Sequence, residues 1–332
     1  MTRWPEPPAS PEQSETSPLS ALAPSRHTTL ERAQQTLSTL WRTAGVDLHL
    51  YTANLCVITE ERHLALILRT LDALGPAVTG RQLVLVLGRS SQDVEVSLAG
   101  HGRVLVERLI THGPAEEATE RMAELLRPAT DTHVWWASST SPRPGILLEL
   151  ARISDQLILD TSAFNVPRDL PCPVVDLAWA RAARWRELTA QLFDDPTARA
   201  HLKDIEQLTV RFSGDDARPA RLFAAWFASK LGWHDLERIQ VLHAHTLHLR
   251  ERGDLTDLEI VGGDAPEVRF LIEADGDTVH IQVTHDLQFR AFELVMAPLD
   301  LAQGLADLMR FPEQHDDCAR ALALLKNAPA WK

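Results

Sequence analysis

The sequence predicts an α/β protein in two parts: an N-terminal α/β sheet domain followed by a smaller α+β domain with an antiparallel meander. Three observations predict it. Leu83–Leu87 is a continuous apolar run, the pattern of a strand covered on both faces. Between residues 30 and 193, extended runs alternate with amphipathic stretches of helical period, an order that builds a sheet with parallel character. Past Asp194-Asp195-Pro196 the apolar period drops to two, and glycine–aspartate turns separate the strands. A length of 332 residues is enough for two such domains.

The elements follow in order. Residues 1–28 carry Pro5, Pro7, Pro8, Pro11, Pro18 and Pro24 among serines. They hold too little apolar area to offset their ordering entropy, so a disordered Pro/Ser-rich tail is expected. Thr28 or Thr29 then caps a helix over Leu30–Ala44, with Leu30, Ala33, Leu37, Leu40 and Trp41 on one stripe. Val46–Thr59 is extended, and Glu60–Leu74 is a helix stopped by Gly75-Pro76. After Leu83–Leu87 come strands over Val94–Leu98 and Val104–Ile110, with Gly100-His101-Gly102 as their turn. Helices over Pro114–Leu126, Ile146–Ile153 and Ala178–Phe193 alternate with short strands at Val134–Ala137 and Leu157–Leu159. These make a first domain of residues 29–195. The second, 196–332, opens on the alternation of Leu208, Val210 and Phe212. A helix follows with Leu222, Ala225 and Trp226 on one face. Then come strands broken at Gly253-Asp254, Gly262-Gly263-Asp264 and Asp275-Gly276-Asp277, and two closing helices, Leu299–Phe311 and Glu313–Lys326.

Composition narrows the function classes. Acidic residues outnumber basic ones, 46 to 33, for a formal charge of −13. That field repels phosphate backbones, so no nucleic-acid partner is expected. No apolar run approaches the ~20 residues of a membrane span, and the first residues lack a signal-peptide core, so a cytoplasmic protein without a membrane partner is expected. Cys56, Cys172 and Cys318 share no zinc spacing and read as free thiols. His243-Ala244-His245-Thr246-Leu247-His248 lacks a further ligand at useful spacing and reads as strand-edge histidines. No G-x-x-x-x-G-K-[ST], G-x-G-x-x-G, G-x-S-x-G or H-E-x-x-H occurs. Hence no cofactor, no metal and no catalytic residue is expected.

Two aromatic stretches remain. Trp135-Trp136 ends a strand and leads into a loop carrying Ser138, Ser139, Ser141 and Arg143. Adjacent strand residues face opposite ways, so either one tryptophan is core and the other, Trp136, faces out at the strand's carboxyl end, or both pack against the helices that cover the sheet. The second stretch runs from Asp176-Leu177-Ala178-Trp179-Ala180-Arg181 to Trp185-Arg186-Glu187-Leu188. Ala178, Ala182, Trp185, Leu188 and Leu192 form its buried stripe, and Arg181 falls inside it. An arginine there needs a carboxylate or an exit to the surface; Asp155, Asp160 and Asp176 are nearest in sequence. Trp179 and Arg186 flank the stripe. Tryptophan and arginine are the usual interface anchors, so Trp136, Arg143, Trp179, Arg181 and Arg186 are candidates for a partner interface; the other reading of the helix at Asp176 is a clamp between the two domains, since it ends where the second begins.

Those stretches, in their order, resemble the OpcA family of glucose-6-phosphate dehydrogenase assembly proteins. The residues that carry the resemblance are Thr132–Trp136 with its Pro-rich loop, Asp155–Asp160, Asp176–Arg181 and Trp185–Leu188. Thr52–Ile58 resembles the family's early strand, and Leu222–Leu231 the first helix of its C-terminal domain. Where the family often has a His-Pro-Ser/Cys-Arg turn, this chain has Val78-Thr79-Gly80-Arg81. The resemblance implies a non-enzymatic helper whose partner is glucose-6-phosphate dehydrogenase, acting on its assembly or activity in the oxidative pentose phosphate pathway. The alternative from the residues is a sugar-phosphate sensor or enzyme using the cleft beside Trp136, with Arg143 on the phosphate.

Overall fold

The computed structural model describes residues 25–45, 51–74, 79–101, 104–160, 169–244, 254–263, 268–285, 288–296, 299–310 and 314–328. They fall into two compact units. The first runs to Asp176 and takes in Leu301–Arg310; the second holds Leu177–Asp300 and the residues after Arg310.

The first unit is built on eight strands: β1 (Arg26–Thr29), β2 (Ala53–Glu60), β3 (Gly80–Leu87), β4 (Asp93–His101), β5 (Val104–Gly113), β6 (Asp131–Trp136), β7 (Gln156–Leu159) and β8 (Val174–Asp176). They lie in the order β1-β4-β5-β3-β2-β6-β7-β8. All neighbours from β5 to β8 are parallel, and β4 and β1 add an antiparallel margin. Counted along the chain, the parallel strands stand in the order 3-2-1-4-5-6, the doubly wound arrangement of dinucleotide-binding domains. β2 and β3 are buried at every residue but the last, as the apolar run requires. Helices α1 (Ala33–Ala44), α2 (Leu64–Leu74), α3 (Ala118–Leu125) and α4 (Pro144–Ile153) belong to this unit, with the returning helix Leu301–Arg310. Gly80 has φ +147°, and a Cβ there would stand 2.1 Å from the carbonyl oxygen of Ala53, its ladder partner on β2. Only glycine lets the two strands close at that point.

Residues Leu177–Arg181 and Ala183–Leu192 form α5 and α6 of the second unit, followed by α7 (Pro196–Ala200). Its sheet has six strands: β9 (Ile205–Phe212), β10 (Ile239–His243), β11 (Leu255–Gly262), β12 (Val268–Asp275), β13 (Thr278–His285) and β14 (Gln288–Val295). The order is β10-β9-β11-β12-β13-β14, with β10 parallel to β9 and an antiparallel meander from β11 to β14. Val279, Ile281 and Val283 of β13 are buried, while His280, Gln282 and Thr284 are not, as their alternation requires. Helix α8 (Arg218–Leu231) buries Leu222, Phe223, Trp226 and Phe227. The chain's last two helices are α9 (Leu301–Arg310), in the first unit, and α10 (Gln314–Asn327), which lies against α8.

Three expectations need correcting. The tail does not reach residue 28: Arg26–Thr29 pairs with Asp93–Val96 of β4, because backbone ladder bonds need no apolar side chains. Residues 1–24 lie outside the described residues. The units divide after Asp176, not after residue 195. The change of period at Pro196 marks where strands resume, but α5 already lies against α8 of the second unit. Finally, Ala178–Phe193 is two helices. At Ala182 the backbone tightens, its N–H bonding to Trp179 O at 3.2 Å. The buried stripe still runs through the break at Ala178, Ala182, Trp185 and Leu188. No described helix is long and apolar enough to cross a membrane.

Candidate functional site

In a sheet of this order, ligands bind outside the carboxyl ends of the strands, where the connections from two neighbouring strands diverge. Here those strands are β2 and β6, paired from Ala53 and Asp131 to Ile58 and Trp136. The ladder continues through Ala137 N to Ile58 O at 2.8 Å, which sets Glu60 beside the Ser138-Ser139-Thr140 turn. Glu60 Oε1 accepts from Ser138 Oγ at 2.7 Å, Ser139 Oγ at 2.7 Å and Ser139 N at 3.1 Å, with Thr140 Oγ1 at 3.4 Å. Arg62 pairs with its other oxygen. Partial desolvation pushes the Glu60 carboxyl up, but the bonds from Ser138, Ser139 and Arg62 outweigh it and bring the pKa down to about 2. This crevice therefore already contains an anion, supplied by the protein itself. Desolvation also holds the neighbouring His63 below its ordinary value, against the attraction of Glu60.

The five candidate anchors divide between the two units, Trp136 and Arg143 in the first and Trp179, Arg181 and Arg186 in the second. Trp135 and Trp136 face opposite ways, but both faces of the sheet are covered and both rings are buried. Trp136 Nε1 donates to Thr140 O at 2.9 Å and its ring joins the core with Ile146 and Leu147. At 3% exposure the Trp136 ring offers no open face to a ligand. Arg143, 79% exposed, pairs loosely with Glu116 at 3.1 Å. In the second unit Trp179 is buried, and the Arg186 guanidinium lies 3.6 Å from its ring centroid. Arg186 is only 7% exposed and donates to Trp179 O at 2.6 Å, so it caps the end of α5 from inside. Burial pushes its pKa down, and the nearby Asp317 carboxylate resists that. Arg181 pairs with Asp216 at 2.7 Å and reaches toward Asp254 at 3.8 Å. Neither aspartate could be named by proximity in sequence. Asp216 also accepts from Arg218 N, so the pair ties α5 to the start of α8.

Sequence reasoning missed one buried polar cluster. Arg81 Nε donates to Glu107 Oε2 at 2.7 Å and its Nη2 to Gln34 at 3.0 Å; Nη1 bonds Leu125 O. Glu107 Oε1 accepts from Trp41 at 2.8 Å and Tyr51 at 2.7 Å. Desolvation, then the Glu107 carboxylate, raises the Tyr51 hydroxyl to about 12. Arg81, the residue of Val78–Arg81 that agrees with the family's pattern, is thus an interior ion-pair partner. The clue available in sequence was that Glu107 interrupts the apolar run of Val104–Ile110 while Arg81 opens the strand that leads into Leu83–Leu87.

Cys56 and Cys318 are buried and Cys172 is half-buried; all three are free thiols. Burial raises Cys56 to about 12 and also raises Cys172, so neither is an activated thiolate. His243 Nε2 donates to Gly214 O at 3.0 Å on the edge of β10, while His245 and His248 lie outside the described residues. Among the described residues no group of three His, Cys, Asp or Glu side chains is placed to hold a metal.

Residues 72–173 match the family model for the N-terminal domain of the glucose-6-phosphate dehydrogenase subunit (OpcA_G6PD_assem). Residues 172–322 match the model for the C-terminal domain of the same kind of protein (OpcA_G6PD_C). Their junction lies next to the division after Asp176. The OxPP cycle protein OpcA of Synechocystis sp. is 33% identical over 138 residues, 37% of this chain and 29% of that protein. Its namesake from Nostoc punctiforme is 30% identical over 147 residues, 41% of this chain and 30% of that protein. The chain thus matches less than a third of the length of these relatives. Among solved structures, glucose-6-phosphate 1-dehydrogenase from Mycobacterium avium superimposes with a TM-score of 0.47 at 10% identity, over 84% of this chain and 92% of that one.

Proposed function

The chain belongs to the OpcA family, and on that premise we propose that it is a non-enzymatic partner of a glucose-6-phosphate dehydrogenase in the oxidative pentose phosphate pathway. It acts in the cytoplasm by favouring the active conformation or assembly of that enzyme. The observation that carries the reading is Glu60. At the point of the sheet where a dinucleotide's pyrophosphate would seek hydrogen-bond donors, the Ser138 and Ser139 donors are already engaged by a carboxylate of the chain. A second anion there would meet the Glu60 and Glu61 carboxylates. This supports a binding protein rather than a dehydrogenase in its own right.

Such a helper works only by differential affinity. It must bind the active state of the enzyme more tightly than the inactive one, and a tenfold shift in population needs about 1.4 kcal/mol of preference. The test mixes the purified chain with the dehydrogenase of the same cell, following NADPH production and the mass of the complex. A rise in activity with a complex of defined mass is expected. No complex and no rise would overturn the assignment; turnover of glucose 6-phosphate by the chain alone would overturn its non-enzymatic part.

A further inference from the structure

We propose that β14 pairs antiparallel with β14 of a second copy of this chain, across a two-fold axis at Phe292. The two six-stranded sheets then become one of twelve strands. β14 is the last strand of its sheet, and no described strand covers its outer edge. Its eight residues are exposed almost throughout: Phe289 by 65%, Phe292 by 45% and Val295 by 80%. It follows β13 from end to end without a register shift, so no bulge turns it away. Gln288–Val295 contains no proline and no lysine, the residues that commonly blunt an edge. A long, straight, apolar edge is a template for another strand.

The occupant follows from the pattern of the strand. It carries one charge of each sign, Arg290, which pairs with Asp195 at 3.5 Å, and Glu293, which lies 3.0 Å from His280. Two such strands bring no net charge of their own to the contact, although the chain carries −13. A two-fold axis normal to the sheet keeps each side chain on its own face, so one residue must stand opposite itself. Centring on Arg290 or Glu293 opposes like charges. Centring on Ala291 sets Phe289 against Glu293. Centring on Phe292 opposes the two Phe292 rings and places Phe289 opposite Val295. All three exposed apolar residues then cover one another, in aromatic and aromatic–aliphatic cross-strand pairs.

The test uses the full chain and the second unit's edge alone, so it stands apart from the proposed enzyme partner. Light scattering and sedimentation should give twice the 37.0 kDa of one chain at micromolar concentration. Phe292→Lys, which opposes two ammonium groups across the axis, should raise the dimer dissociation constant at least tenfold and leave the monomer's melting temperature unchanged. Phe292→Cys should form a disulfide-linked dimer under mild oxidation, because opposed antiparallel residues lie ~4.5–5.5 Å apart at Cα, within disulfide reach. Ala291→Cys and the unmodified chain should not. A chain monomeric at all concentrations would overturn the proposal, as would a dimer indifferent to Phe292→Lys. Cross-linking through Ala291 in place of Phe292 would overturn the register. If Phe292→Lys abolished only a complex with the dehydrogenase, the edge would belong to that enzyme and the second copy would be refuted.

Discussion

β2 and β3 of the first sheet are buried along nearly their whole length, whereas β14 of the second is exposed along nearly its whole length. The first sheet also turns its charges inward: Arg81 and Glu107 are paired in the interior, and Glu60 is consumed by the turn beside it. The second sheet leaves apolar side chains of β14 exposed, on a margin that no described strand covers. The difference teaches where recognition can reside. A turn whose hydroxyl donors are held by Glu60 does not offer them to a ligand, while an edge that no described strand covers can still gain from a partner.

The contrast can be broken by opening the closed region. Arg81→Ala strands the Glu107 carboxylate, with both side chains almost wholly buried. Losing one partner of such a pair costs about 3–5 kcal/mol, so this should be the largest loss in a urea titration. Next comes Arg186→Ala. Read from sequence, this residue flanks the stripe and its loss should spare the fold; its burial on Trp179 reverses that expectation. Removing the stacked guanidinium and its bond to Trp179 O should cost about 2 kcal/mol, and Arg186→Lys should not restore it, since an ammonium cannot stack as a plane.

Glu60→Gln tests the crevice itself. The folded carboxyl titrates at about 2, below its unfolded value. Its contribution is therefore complete above about pH 5 and is lost as pH falls toward 2. The variant should be less stable by about 1 kcal/mol at pH 7, and the two melting curves should converge below pH 3. Convergence at neutral pH would mean that the carboxylate is not held as described. The smallest effect belongs to Arg143→Ala. Exposed and loosely paired, it should shift stability by no more than about 0.5 kcal/mol. Any fall in dehydrogenase activation at unchanged stability would place Arg143 in the contact.

Much of the fold was legible because side-chain period is local. The apolar run of β3, the alternation of β13, and the stripes of α1 and α8 follow from neighbouring residues. What was not legible depends on partners distant in sequence. β1 sits in a Pro/Ser-rich context and is held by backbone bonds to β4. Arg181 waits for Asp216, 35 positions away. Glu60 reads as the start of a helix, and only the pairing of β2 with β6 brings Ser138 and Ser139 to it. Tryptophan and arginine were sound markers of energetic weight, but in Trp136, Trp179 and Arg186 that weight is spent in the interior. Composition alone cannot distinguish an anchor for a partner from an anchor for the chain's own core.

The return of α9 to the first unit bears on how this protein is made. Gln156 Nε2 donates to Leu308 O at 3.1 Å, and α9 lies against α2. The first unit is therefore not a contiguous stretch of chain. During synthesis its sheet can collapse once β8 has emerged, yet the Leu308 carbonyl and the rest of α9 reach it only when the ribosome has delivered residues 301–310. The whole second sheet is synthesised in the interval, so maturation of the first unit is a late event, and a nascent chain halted before α9 leaves a hydrophobic seam for chaperones to hold.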